Sequence, residues 1–145
     1  MESDTVNRLL RNELSSVETY RQALDRFRQD FGQVAAFQEL DTLYRDHEDA
    51  VRILETQVEQ LGGEPVPDSG VWGSWAKLVM GSAELLGEKA ALKALREGEE
   101  SGAKDYREAA QEADVSSEVK SLIENNLLRR AQAHVQVLED LMQGL

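Results

Sequence analysis

The chain has 145 residues, of which 16 are Lys or Arg and 28 are Asp or Glu, giving a formal net charge of −12, and it contains no cysteine. That length suits a single domain over residues 1–145, and an apolar content of 41% can fill a core. The acidic surplus argues against nucleic acid as a partner, because phosphates need a basic face, and the lack of cysteine excludes disulfides, thiolate catalysis and cysteine-based zinc or iron–sulfur sites.

The opening stretch MESDTVNRLL has no basic segment leading into an apolar one, so no secretory signal is expected. A first helix is expected over about residues 4–30, where Val6, Leu10, Leu14, Val17, Tyr20, Leu24 and Phe27 recur three or four apart. Ser3 or Asp4 would cap its start, and Gly32 breaks the pattern. The second helix, about 33–61, carries the cleanest heptad: Phe37, Leu40, Tyr44, His47, Val51, Leu54, Val58 and Leu61. Gly62-Gly63 is a strong stop signal after it.

Residues 62–87 read as a crossover. Its first part, GGEPVPDSGVWGSW, holds both prolines, both tryptophans and four of the ten glycines, and Ala76 to Leu86 read as a short amphipathic helix. Trp72 and Trp75 would pin this crossover to the rest of the protein; as a rival, they form a patch for a protein partner, and exposed apolar residues here could support a homodimer. The third long helix, about 88–112, places Leu92, Leu95, Ala103, Tyr106 and Ala110 inward. Gly98 and Gly102 each cost it about 1 kcal/mol relative to alanine. The fourth, about 116–143, starts at Ser116 as N-cap and runs through Val119, Ile123, Leu127, Ala131, His134, Leu138 and Leu141. No run of about 18 apolar residues occurs, so no membrane span is expected, and the composition allows a cytoplasmic setting.

Helices of about 25 residues span about 38 Å, and about 12 extended residues reach about 40 Å. The expected fold is therefore all-α: a four-helix bundle of two antiparallel hairpins joined by one long crossover.

The two hairpins look like copies of each other. Glu13 precedes Tyr20 by seven residues, and Glu99 precedes Tyr106 by seven. Tyr20 lies 27 residues before His47, and Tyr106 lies 28 before His134. Both glutamates fall on the apolar stripes of their helices, and both histidines sit in the middle of inward faces. Two Glu and two His would thus meet near mid-height, ringed by Tyr20, Tyr44 and Tyr106. Buried charges are costly unless paired or bound to metal.

These residues resemble the ferritin-like superfamily, of the bacterioferritin and rubrerythrin type. In that family Glu is followed seven residues later by Tyr on helices 1 and 3, and helices 2 and 4 carry Glu-x-x-His. Glu13/Tyr20 and Glu99/Tyr106 match the first motif, and His47 and His134 match the histidines of the second. The bridging glutamates would fall at positions 44 and 131, which hold Tyr44 and Ala131, so the di-iron motif is degenerate. The Leu61-Gly62-Gly63-x-Pro65 loop is similar to that of bacterial ferritin-like families of uncharacterised type.

Two readings follow. In the first, Glu13 pairs with His47 and Glu99 with His134, each carboxylate also taking a tyrosine hydroxyl from the opposite hairpin, while Tyr44 fills part of the volume a bridging carboxylate would take. The protein is then a non-catalytic structural, interaction or stress-associated module. In the second, Glu13, His47, Glu99 and His134 form a reduced metal site for one zinc, iron or manganese ion in a metal-binding or redox protein, with the three tyrosines around it. Asp46 and Glu48 flank His47 and are expected to face solvent, with a possible role in orienting the ring.

Overall fold

A computed structural model describes residues 1–30, 34–69 and 73–144. Its elements are α1 (Glu2–Asp30), α2 (Val34–Gln60), α3 (Gly73–Leu86), α4 (Glu88–Ala110), α5 (Ser117–Leu122), a π-helical turn (Ile123–Leu127) and α6 (Leu128–Gln143). The described residues contain no strand, so the protein is all-α, as the helical periodicity predicted. Helix α1 packs along α2, α4 packs along α6, and α3 lies against both α1 and α4.

Helix boundaries differ from expectation by a few residues at most. Helix α1 already begins at Glu2, so Ser3 and Asp4 occupy its first turn rather than capping it. Helix α2 ends in a Schellman arrangement: Gly62 adopts φ 82°, its N–H donates to Glu59 O at 3.0 Å, and Gly63 N–H donates to Val58 O at 3.0 Å. The short helix starts at Gly73, three residues earlier than its apolar pattern suggested. Ser116 caps α5, its hydroxyl accepting from Val119 N–H at 3.3 Å. Gly32 and Trp72 lie outside the described residues.

Helices α5 and α6 form one rod interrupted by the π turn, since the residues on both sides of it keep right-handed helical dihedrals. Leu128 N–H donates to Ile123 O, five residues back. The buried residues Val119, Ile123, Leu127 and Ala131 are separated by three successive steps of four. An α-helix turns about 100° per residue, so three such steps overshoot by about 120°, slightly more than one residue. One π turn absorbs that residue and keeps His134, Leu138 and Met142 on the inward face. The stripe ends on Met142 rather than on Leu141, which is only partly buried.

The core is divided. One apolar cluster gathers Val6, Leu9, Leu10, Leu54, Val58, Ala103, Val119, Ile123 and Leu127. The other gathers Leu24, Phe27, Leu40, Leu43, Leu92, Leu95, Val79 and Leu138. Each long helix passes from one cluster to the other, and each carries one ionisable residue at the crossing: Glu13, His47, Glu99 and His134.

The long connection is fastened at several points. The Asn7 amide donates to Glu64 O at 2.9 Å, and Asn7 Oδ1 accepts from Val66 N–H at 2.9 Å. Trp75 anchors α3: its indole N–H donates to Ala94 O at 3.2 Å, and its ring lies flat where a side chain on residue 98 would stand. A Cβ built on Gly98 would sit 2.0 Å from Trp75 Cζ2, whereas one on Gly102 meets nothing within 4 Å. The glycine inside α4 thus makes room for Trp75, which fulfils the pinning role expected of it. Gly98→Ala should therefore destabilise the protein by about 1–3 kcal/mol through the forced displacement of Trp75. Gly102→Ala should stabilise it by up to about 1 kcal/mol. Denaturant unfolding of the two variants checks the pair, and equal effects would remove the packing explanation.

Candidate functional site

Glu13, His47, Glu99 and His134 are all buried and form a continuous chain of hydrogen-bonding groups. His47 lies between the two glutamates, with Nδ1 2.5 Å from Glu13 Oε2 and Nε2 2.6 Å from Glu99 Oε1. His134 extends the chain: Nδ1 is 3.3 Å from Glu99 Oε1, and Nε2 is 2.9 Å from Asp46 Oδ2. The two imidazole centroids are 4.9 Å apart. The order is Glu13, His47, Glu99, His134, Asp46, anionic groups alternating with imidazoles from the core to the half-exposed Asp46.

Two tyrosines close the chain by reaching across between hairpins. Tyr20 of α1 donates its hydroxyl to Glu99 of α4 at 2.7 Å, and Tyr106 of α4 donates to Glu13 of α1 at 2.6 Å. The exchange is reciprocal, as the repeat in the sequence implied. The histidines break the symmetry. Their expected pairing was one to each glutamate; instead His47 is shared by both, and His134 divides itself between Glu99 and Asp46. Asp46 was expected outside. Half-exposed at the edge of α2, it reaches His134 because that ring points toward the gap between α2 and α6.

Tyr44 stands apart. The centre of the buried face of α2 runs through Leu40, Leu43, His47, Ala50, Leu54 and Val58, which puts position 44 on its flank. Its side chain is only partly buried, and its phenol is pushed up by burial and then by the nearby Glu48 carboxylate, not by the central glutamates. Tyr44 therefore does not fill the place of a bridging carboxylate. Ala131 likewise supplies no donor, and beside it lies a cavity of about 10 Å³ lined by Glu13, Asp46, His47, Leu127, Arg130 and His134, about the room one water needs. Arg130 spans the outer side of this cavity, donating to Asp49 at 2.8 Å. With no carboxylate at positions 44 and 131, the donor set does not fit a bridged pair of iron ions.

Both ring nitrogens of His47 face carboxylate oxygens, and carboxylates only accept, so the ring serves both partners as the doubly protonated cation. Burial alone would lower its pKa, but Glu99 and Glu13 override burial and hold it well above the usual 6.5. Burial pushes Glu99 upward, but the His47 cation and the hydrogen bonds from His134 and His47 outweigh it, so its carboxyl is held well below the usual 4.5. Tyr20 and Tyr106 are pushed well above 10, first by burial and then by the neighbouring carboxylates. The phenols remain neutral donors.

These shifts fix the pH dependence. The raised His47 contributes its full stability below about pH 6.5 and loses it as pH rises through its folded value, whereas the lowered Glu99 contributes above about pH 4.5 and loses it as pH falls. Glu99→Gln, which keeps the shape and removes the charge, should cost about 1–3 kcal/mol near pH 6, because His47 keeps Glu13 but loses its charged hydrogen bond to the second carboxylate. The difference from wild type should shrink toward pH 3. Urea unfolding at both pH values measures it, and a cost that did not change with pH would rule out an ionised Glu99.

No curated protein and no solved structure matches the chain. The matching family model spans α1 to the end of α4 and so includes Glu13, Tyr20, His47, Glu99 and Tyr106 but stops before His134. That model is described as Domain of unknown function (DUF2383), it matches residues 1–112, and the chain belongs to this family.

Proposed function

We propose that the protein is a ferritin-like four-helix bundle, bacterial and cytoplasmic in type, that acts as a non-catalytic structural, interaction or stress-associated module. Its Glu/His/Tyr cluster is a metal-independent polar core. The observation that carries this reading is the closure of the cluster by its own protons. His47 is within 2.6 Å of both glutamates, each glutamate has a tyrosine hydroxyl, and the adjoining cavity is only about 10 Å³. Such a network fixes helix register, a use of buried polar groups known from coiled coils. The long connection, the two hairpins and the Glu-to-Tyr spacing support the ferritin-like assignment.

A second reading rests on a specific convergence. One ligand atom each from His47, Glu99 and His134 lie within 4.8 Å of one another, so one zinc, iron or manganese ion could replace the ring protons there, with water completing its shell. Metal analysis of untagged protein separates the two. The polar-core reading expects far less than one metal per chain and a melting temperature unchanged by chelator or by excess zinc, iron or manganese. An ion present at 100 times its dissociation constant would instead stabilise by about 2.7 kcal/mol. A stoichiometric metal that disappears in His47→Ala would overturn the polar-core reading.

A further inference from the structure

Helix α3 has two apolar faces, and the protein uses only one. Ala76 and Val79 are buried against α1 and α4. On the outer side Leu78 is 56% exposed and Leu85 is 85% exposed. Leu78, Gly81, Ser82 and Leu85 fall at i, i+3, i+4 and i+7, the spacing of a helix-packing stripe. A side chain added at Gly81 would meet nothing within 4 Å, so the centre of the stripe is open to close approach. Leu78 and Leu85, on either side of the open Gly81, make an exposed apolar stripe of a kind associated with interfaces.

The charges beside the stripe identify what covers it. Lys77 and Glu84 both flank the stripe on the same side, seven residues apart, one turn-pair from Leu78 to Leu85. When two identical helices pack antiparallel, flanking residues on the same side meet across the two-fold axis. Lys77 of each copy then reaches Glu84 of the other, and Leu78 of each faces Leu85 of the other across the paired Gly81 positions. A parallel two-fold arrangement would put these flanks on opposite sides of the seam, where neither Lys77 nor Glu84 meets an opposite charge from its own counterpart. The charge pattern is therefore self-complementary in one orientation only, as an isologous contact requires.

We propose that the outer face of α3 is the surface through which two copies of this chain associate, antiparallel about a two-fold axis near Gly81. The contact is the width of one helix, so the dimer is of the small, micromolar class rather than a permanent one. It is independent of whatever the central polar cluster binds.

Sedimentation equilibrium on the full chain tests this directly. Wild type should dimerise, and Leu85→Glu, which would bury an unpaired carboxylate, should weaken the dimer by about 100-fold or more. Because Leu85 is exposed in the monomer, that variant's melting temperature at low concentration should not move. Lys77→Glu should weaken association by about 10-fold, and adding Glu84→Lys on the same chain should restore it. The chain has no cysteine of its own, so oxidation of Gly81→Cys should give one specific cross-linked dimer. A wild type that stays monomeric up to about 1 mM, whether or not the face then takes lipid or another protein, overturns the proposal. So does a dimer that Leu85→Glu leaves intact, or a double charge swap that fails to restore association.

Discussion

Glu13 and Glu99 sit between two apolar compartments, where an unpaired carboxylate costs several kcal/mol. That cost organises the middle of the protein. His47 meets both carboxylates at once, and Tyr20 and Tyr106 supply one hydroxyl to each from the opposite hairpin. No hairpin satisfies its own glutamate alone. The pairing of the two halves is thus set by directional bonds, while apolar burial above and below supplies the non-directional attraction.

The long connection serves the same centre. Trp75, held on the backbone of α4 over Gly98, also presents its indole edge-on to Tyr20, ring centroids 6.1 Å apart. Tyr20 in turn stacks on His47 at 5.1 Å. Position 98 is therefore connected, through the Trp75 ring, to a phenol whose hydroxyl ends on Glu99. On the other side, the π turn holds His134 in phase with the inward stripe, so a local helix defect determines the distant end of the hydrogen-bonded chain.

The helices and the identity of the four central groups were legible because polar residues interrupted otherwise regular apolar stripes, and because the interruptions recurred in both hairpins. The stop at Gly62-Gly63 was legible from glycine chemistry. The π turn also left a mark, the run of four-residue steps from Val119 to Ala131, which a fixed helical period averages away. Two features were hidden for geometric reasons. Position 44 is one residue from Leu43, and that one step of about 100° separates the buried face from its flank. Asp46 was hidden because its contact depends on how far the His134 ring extends from another helix, which periodicity along α2 does not encode.

The crossed tyrosine–glutamate exchange also has a consequence for how the chain is made. Translation delivers the first hairpin complete by Gln60, with Glu13 beside His47 but with the hydroxyl of Tyr106 still unsynthesised. At about 5–20 residues per second, that donor follows by several seconds. During that interval the nascent hairpin holds a carboxylate short of a partner and a phenol, Tyr20, with no acceptor. The earlier half of the polypeptide is thus left waiting on the later half for the partners of its buried polar groups.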